Sequence, residues 1–564
     1  MTAKEKAQSW VDQEIDQAFK QEIEHLMTGD LDQLEDAFYK DMEFGTGGMR
    51  GVMGVGSNRI NKYTLGMATQ GLCNYIRQSF PNKACKIAIA YDCRNNSDVY
   101  AKLVANIISA NGIEAMLFSA LRPTPELSFA VRHHGCQAGI VITASHNPPE
   151  YNGYKVYWED GAQIVAPHDS GIIEKVRSIK MLSEINFSGN PDLITELDSS
   201  TDEAFITASL QQRRATSTHP LKIVFTSLHG TSITLMPELL RKAGYTDLHI
   251  VEAQAKPDGN FPTVKSPNPE EREALDMALT LADDIDADMV VGTDPDSDRL
   301  GVAVRDNEGK MQLLNGNQCG VLLTDYLLRT SNLTGSEFIA YTIVSSELFA
   351  DVAQHYSTES QVCLTGFKHI AALIRENEGH KKFIGGGEES YGYMIGDFVR
   401  DKDALTSTLL FCDLAAEAKS KGTSAFSELC AIYERHGLYF EHLVSITKEG
   451  ISGAQEIKDL METLRNNPPL ELAGERIVRV DDIRSGESKD LITNATSSLS
   501  VPSSNVLQFY TDQGSKISAR PSGTEPKIKF YFSLKADWDG DRSYNEQQKT
   551  LLQKVNQMVK GLGV

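Results

Sequence analysis

Hydrophobic positions in this chain gather into short runs that stop at polar loops. Ala138 to Ile142 is one uninterrupted apolar run, and Met289, Val290 and Val291 lie in a second, from Asp288 to Gly292. Runs of this length bounded by turn-forming residues predict buried β-strands. The pattern recurs at Lys86 to Ala90, Lys222 to Phe225 and Phe338 to Val344. Each opens into a loop: Tyr91-Asp92-Cys93-Arg94, Thr226-Ser227-Leu228-His229-Gly230 and Ser345-Ser346. Between them, Val99 to Ala110 and Leu405 to Lys419 have the spacing of amphipathic helices. Strands alternating with helices predict α/β domains with parallel or mixed sheets. Toward the C-terminus the pattern changes. Tyr439 to Thr447 is strand-like, Ile528, Phe530 and Phe532 alternate as in another strand, and Asn545 to Lys560 predicts a final helix. The first 40 residues read as charged amphipathic helix packed on the outside, and Ser485 to Ser504, rich in Ser, Asn and Thr, as a long surface loop.

Composition narrows the class. The 564 residues leave room for roughly three to five domains. At 41% hydrophobic and 23% charged the chain is an ordinary globular protein. It has no apolar stretch of the roughly twenty residues that a membrane span needs. The N-terminus carries no apolar signal core, so no targeting role is expected. Eight Cys without CxxC spacing fit reduced thiols in the cytoplasm, with Cys93 and Cys136 read as small buried hydrophobes. The formal net charge of −22 argues against nucleic acid and anionic membranes as partners. It also repels anionic small molecules at long range. A site for them therefore needs a locally basic cleft, which Arg50, Lys155, Arg299, Arg520 and Lys527 can supply.

Four loops carry candidate chemistry. Thr143-Ala144-Ser145-His146-Asn147-Pro148-Pro149 follows the run Ala138 to Ile142. It places the Ser145 hydroxyl at the carboxyl end of a strand, where open α/β sheets bind ligands. Thr293-Asp294-Pro295-Asp296-Ser297-Asp298-Arg299 puts three carboxylates at alternate positions, a set suited to one Mg²⁺ with room left for a phosphate oxygen. A calcium EF-hand loop would need Gly and Glu where Arg299 and Arg305 stand. An aspartyl-phosphate hydrolase also opens with strand-Asp-x-Asp. This segment alone leaves that reading open, but the reading leaves Ser145 unexplained. Gly385-Gly386-Gly387-Glu388-Glu389-Ser390 reads as a Gly-rich turn that approaches a ligand closely and offers acceptors and a donor to sugar hydroxyls. Ser518-Ala519-Arg520-Pro521-Ser522-Gly523-Thr524-Glu525-Pro526-Lys527 suits a phosphate cradle, with a plain hairpin turn as the alternative. There is no Walker A sequence or dinucleotide fingerprint, so the phosphate belongs to a small substrate.

Together the loops resemble those of the α-D-phosphohexomutase family, in the family's order and over most of the chain. Thr143 to Pro148 matches its phosphoserine pattern T-A-S-H-N-P, and Asp294 to Arg299 its metal loop D-x-D-x-D-R. Gly387 to Ser390 matches its sugar-recognition pattern G-E-x-S, and Arg520 to Pro526 its phosphate-binding pattern R-x-S-G-T-E-P. Phe44-Gly45-Thr46-Gly47-Gly48-Met49-Arg50-Gly51 is similar to its N-terminal active-site loop, and Gly366-Phe367-Lys368-His369 to a further specificity loop. The chain looks most like the longer branch of bacterial phosphoglucomutases and phosphopentomutases. Glu388-Glu389-Ser390 leans toward its glucose-acting members.

The resemblance implies an α/β fold of four domains around a central cleft: three similar mixed-sheet α/β domains and a C-terminal α+β domain. The boundaries expected are 1–208, 209–314, 315–437 and 438–564. It implies conversion of glucose 1-phosphate and glucose 6-phosphate through phosphorylated Ser145 and a glucose 1,6-bisphosphate intermediate. Mg²⁺ would sit on Asp294, Asp296, Asp298 and the Ser145 phosphate. Lys155 is expected to transfer protons, Arg50 to stabilise charge and His146 to orient the loop, with His146 the competitor for proton transfer. Gly387, Glu388, Ser390, Lys368, Arg299, Arg520, Ser522, Gly523 and Thr524 would bind substrate, Lys368 being equally readable as a solvated surface residue. Mannose or pentose phosphate is the alternative substrate. A Mg²⁺-dependent sugar-phosphate phosphatase and a non-catalytic sugar-phosphate binder are the other classes. Oligomeric state is left open.

Overall fold

The apolar runs become strands. Ala138–Ile142 and Met289–Thr293 are buried along their whole length, as expected of strands covered on both faces. The structure, a computed structural model, describes residues 1–45, 47–214, 219–448, 450–522 and 527–563, without the side chains of residues 450–452. It divides into two units. Met1–Gly316, Ile374–Glu376 and Ser390–Gly422 form the first, and Asn317–Leu373, Asn377–Glu389 and Thr423–Val564 the second.

The first unit contains two mixed sheets. One comprises β1 (Gly48–Val52), β2 (Lys86–Tyr91), β3 (Glu114–Phe118), β4 (Ala138–Ile142), β5 (Tyr151–Trp158) and β6 (Ile194–Leu197), in the order β1-β5-β4-β2-β3-β6. Strands β4, β2, β3 and β6 run parallel, while β5 runs antiparallel to both of its neighbours, β4 and β1. The other comprises β7 (Ile223–Thr226), β8 (Leu248–Ile250), β9 (Met289–Thr293), β10 (Leu300–Arg305) and β11 (Met311–Leu314), in the order β11-β10-β9-β7-β8. Three N-terminal helices, Ala3–Val11, Gln17–Thr28 and Leu31–Phe38, bury Trp10, Ile23, Leu34 and Phe38 against Tyr63, Ile107, Leu182 and Ile185. No described helix is long and apolar enough to cross a membrane.

In the second unit β12 (Glu337–Thr342), β13 (Glu359–Cys363) and β14 (Lys382–Glu388) run parallel in the order β13-β12-β14. The Gly-rich segment is thus mostly strand, not turn: Gly385, Gly386 and Gly387 lie within β14. A Cβ on Gly386 would stand 2.2 Å from the Ala340 carbonyl oxygen, so glycine here lets two strands approach. The following strand β15 (Gly392–Ile395) belongs to the first unit, where helix Ala404–Ser420 packs on it.

The C-terminal domain is an eight-stranded antiparallel sheet: β16 (Leu438–Thr447), β17 (Glu471–Leu472), β18 (Glu475–Asp482), β19 (Glu487–Asp490), β20 (Thr496–Ser498), β21 (Leu507–Thr511), β22 (Lys516–Pro521) and β23 (Lys527–Ala536). Its order is β16-β23-β22-β21-β18-β19-β20, with β17 on β18. Helices Gly450–Asn466 and Tyr544–Gly561 complete it. The stretch from Ser485 to Ser504 is not all loop, because β19 and β20 pair within it from Glu487 opposite Ser498. Residues of β20 are exposed throughout, so no apolar alternation marks the strand in the sequence.

Candidate active site

Ser145 sits just beyond β4, buried, with a left-handed φ of 52°. Such a backbone is uncommon for a residue with a side chain and needs support. Part of that support is local: the Ser145 amide donates to Thr143 Oγ1 at 2.8 Å, and Thr143 Oγ1 donates to Asp92 Oδ2 at 2.6 Å. The rest comes from Arg94, 3% exposed. Its Nη2 donates to the carbonyls of Ser145 and Asn147, and its Nη1 to those of Pro148 at 2.8 Å and Tyr151 at 3.1 Å. A planar fork of donors can serve four carbonyls at once. The guanidinium also lies 5.1 Å from the centre of the Phe261 ring. Behind the loop, a Cβ on Gly153 would stand 2.5 Å from the Thr143 carbonyl oxygen, so β5 passes closely only because Gly is there.

The Ser145 hydroxyl donates to Asp294 Oδ2 at 2.6 Å and lies 3.2 Å from His146 Nδ1. Burial, with Arg299 and Arg50 nearby, pushes the His146 imidazole down to about 3, which makes it neutral at pH 7. Arg50, exposed on β1, donates to Asn147 Oδ1 at 3.0 Å.

Asp294, Asp296 and Asp298 are buried and offer ligand oxygens within 4.8 Å of one another, so they can hold a metal ion. Asp294 Oδ1 accepts from the amides of Asp298 and Arg299, each at 3.0 Å, which curls the loop inward. The Thr124 amide donates to the Asp296 carbonyl at 2.9 Å, and its hydroxyl to Asp296 Oδ2 at 3.0 Å. Lys155 Nζ, from β5, stands 2.7 Å from Asp296 Oδ2 and 3.1 Å from Asp298 Oδ2, and Lys402 Nζ 3.2 Å from Asp298 Oδ2. Burial alone would lower the Lys155 pKa, but the two carboxylates outweigh it and hold the amine above its ordinary value. Burial likewise opposes charge on Asp296, yet Lys155 keeps it well below the carboxylate range. Asp294 is shifted the other way, raised by burial and by its two acidic neighbours. Arg299 pairs with Glu270 and lies 4.0 Å from Asp298 Oδ1.

The second unit brings together a different set. Glu388 ends β14, 5% exposed. Glu389 Oε2 accepts from Thr342 Oγ1 at 3.1 Å and from Ser345 Oγ at 3.2 Å. Arg520 is the fifth residue of β22, opposite Lys529 on β23. Burial and Glu389 push the Tyr531 hydroxyl up to about 12, with the Arg520 charge opposing them. The Ser522 amide donates to the Lys527 carbonyl at 2.7 Å, so the segment does connect two antiparallel strands. Gly523 and Thr524 lie outside the described residues, as does Thr46. Lys368 is half-buried in the first turn of helix Phe367–Asn377, Gly387 is inside β14, and Ser390 belongs to the first unit.

Sequence reasoning did not single out Asp92, Arg94, Thr124 or Lys402 as site residues. The first two lie in a strand-to-loop segment that was legible as such. Their partners, however, are some fifty positions away, 51 for both Thr143 and Ser145. No spacing rule joins Lys402 to Asp298.

Residues 41–183, 203–309 and 315–436 match the phosphoglucomutase/phosphomannomutase α/β/α domains I, II and III. A phosphoglucomutase of Staphylococcus aureus (strain MSSA476) is 38% identical over 553 residues, covering 98% of each chain. One of Staphylococcus epidermidis (strain ATCC 35984) is 37% identical over 533 residues, covering 94% of this chain and 96% of the relative. Among solved structures, a phosphoglucomutase/phosphomannomutase family protein from Burkholderia thailandensis has a TM-score of 0.68 at 19% identity, covering 92% of this chain and 96% of that one. The parafusin phosphoglucomutase from Paramecium, in an open form, has a TM-score of 0.69 at 17% identity, covering 93% and 97%. These two carry the same fold. On the domain matches and the near full-length identity, the chain belongs to the phosphoglucomutase/phosphomannomutase family, the α-D-phosphohexomutases.

Proposed function

We propose that this protein is a phosphoglucomutase, converting glucose 1-phosphate and glucose 6-phosphate through a phosphoryl group carried on Ser145. The observation that carries the reading is the 2.6 Å contact from Ser145 Oγ to Asp294 Oδ2, which joins the acceptor hydroxyl to the acidic triad. Those residues fit a hard divalent cation. Asp296 Oδ1 and Asp298 Oδ1 are buried and accept no hydrogen bond among the described residues, which leaves oxygen lone pairs available to a metal. Asp294, Asp296 and Asp298, with a Ser145 phosphate, would hold Mg²⁺. When bound, it neutralises charge on the phosphoryl oxygens.

The chain's own residues do the rest. Transfer to a sugar hydroxyl breaks the bond from phosphorus to Ser145 Oγ and forms one to the sugar oxygen. The serine oxygen leaves as a strong base and needs a proton. Lys155, held as an ammonium by Asp296 and Asp298, donates that proton. As the amine so formed, it accepts the proton of the sugar hydroxyl. His146, neutral beside Ser145 Oγ, orients the hydroxyl. Arg50 stabilises charge outside the loop it braces through Asn147. Glu388 and Ser390 read hydroxyls, and Arg520 with Ser522 and its neighbours holds the distal phosphate. The product of the first transfer is glucose 1,6-bisphosphate. It reverses in the site and returns its other phosphoryl group to Ser145.

The test follows glucose 6-phosphate formation from glucose 1-phosphate, with Mg²⁺ and a trace of glucose 1,6-bisphosphate. Conversion should fall by about 10⁴-fold or more in Ser145→Ala. No conversion by wild-type protein, or full conversion by the variant, would overturn the reading.

A further inference from the structure

Lys516 is 2% exposed, an ammonium almost wholly removed from water. Such a group persists only where its donors are used. All three are: Nζ donates to the Ile343 carbonyl at 3.1 Å, the Ser345 carbonyl at 2.8 Å and Glu347 Oε1 at 2.5 Å. The other oxygen of Glu347 accepts from the Tyr341 hydroxyl at 3.1 Å. From the adjacent strand β21, Gln508 Nε2 adds a second donor to the Ile343 carbonyl at 2.6 Å. The segment leaving β12 is therefore gripped by its backbone from the C-terminal sheet. That same segment fixes Glu389: Ser345 Oγ lies 3.2 Å from its carboxylate and accepts from its amide at 3.1 Å.

Arg520 lies four residues beyond Lys516 on β22. Positions 516, 518 and 520 share one face of a strand, spaced about 13 Å from end to end. Tyr531, opposite Ser518 on β23, feels the charges of Arg520, Glu388 and Glu389. One strand thus carries both the tether of the carboxylate loop and the arginine assigned to the distal phosphate.

We infer that Lys516 is a positioning residue, which acts through Ile343–Glu347 to hold the Glu388-Glu389 loop in register with Arg520. The inference rests on the mutase reading. It concerns substrate binding rather than phosphoryl transfer. Without the ammonium, the Ile343 and Ser345 carbonyls lose their common anchor, the Ser345 hydroxyl loses its direction, and the carboxylate loop drifts relative to Arg520.

The experiment measures kcat and KM for glucose 1-phosphate on full-length protein with Mg²⁺, the fraction of phosphorylated Ser145 being counted by intact mass. Lys516→Met should raise KM about tenfold and leave kcat per phosphorylated serine within about threefold. Glu389→Gln should raise KM as well, and the double variant should fall short of the product of the two effects, because both act on one loop. A merely structural lysine would lower the thermal midpoint or the active fraction with KM unchanged, and that result overturns the inference. So does a double variant whose effects multiply. If Lys516→Met does not fold, Gln508→Met, which removes one donor from Ile343 and leaves the ammonium, must raise KM about threefold; an unchanged KM refutes the role. An inactive wild type overturns the mutase reading and this inference with it, whereas an active wild type with an unaffected Lys516→Met overturns the inference alone.

Discussion

The two units hold their functional groups by different means. Around Ser145, charge meets charge. Lys155 faces Asp296 and Asp298, Lys402 faces Asp298, and Arg94 gathers four carbonyls beneath the serine. Around Glu389, hydroxyls of Thr342 and Ser345 do the holding, and the Lys516 ammonium donates to two backbone carbonyls as well as to Glu347. Buried opposite charges resist reorientation far more than hydroxyl contacts do, because the interior screens them poorly. This division suits the reaction. On the proposed mechanism, fixed dipoles and ions lower the barrier where charge moves, and exchangeable hydroxyl contacts suffice where the sugar would be read in two orientations. Substitutions in the first unit should therefore act on kcat, and those in the second on KM.

The strongest way to break that contrast is Asp296→Asn. Its amide oxygen can still accept from Thr124 and Lys155 in the place of Asp296 Oδ2, but the negative charge that Lys155 faces at 2.7 Å is gone and the triad loses one charge. The expected fall in kcat is about 10²- to 10³-fold. The rise in thermal midpoint on adding Mg²⁺ should shrink in parallel, since binding to the folded state is what produces it. A loss confined to KM would erase the distinction between the units.

A smaller effect isolates geometry from charge. Arg94→Lys keeps the cation but cannot reach the carbonyls of Ser145, Asn147, Pro148 and Tyr151 together. The rate at which Ser145 is phosphorylated by glucose 1,6-bisphosphate should fall about tenfold, with KM little changed. A variant as fast as wild type would mean that positive charge alone shapes the loop.

Arg94 also shows where sequence reading stops. The strands at Ala138–Ile142 and Met289–Thr293 were legible because buried strands are written in consecutive apolar letters. The acidic triad was legible because its three members lie within five positions and meet through local turns. Gly385 to Gly387 misled, since glycine marks both turns and strands that need close approach, and only the Ala340 carbonyl tells which. Arg94 and Lys516 are written as surface letters. What buries them is carbonyl groups brought in by the fold from 51 or more positions away, 54 at Pro148 and 171 at Ser345. No local pattern encodes such a partner.

The smallest effect tests a carboxylate of the first unit held by neutral groups alone among its hydrogen bonds. Asp403, 1% exposed, begins helix Ala404–Ser420 and accepts from the amides of Leu405 at 2.9 Å and Thr406 at 3.1 Å and from the Thr406 hydroxyl. Burial outweighs these bonds and pushes its pKa from the ordinary 3.8 to about 6. Between those values the folded protein binds a proton that the unfolded chain has released. The contribution of Asp403 to stability is therefore greatest below pH 4, falls as pH rises through about 6, and stays lower above it. The loss comes to about 1–3 kcal/mol. Asn caps a helix as well as Asp and carries no charge to bury. Asp403→Asn should thus raise stability to urea at pH 8 by about 1–2 kcal/mol and flatten its fall between pH 4 and 6. A variant less stable at pH 8 would mean that the ionised carboxylate is favoured in place. Charge would then be the rule throughout the first unit, extending to this helix start the pattern that Lys155 and Lys402 set around the triad.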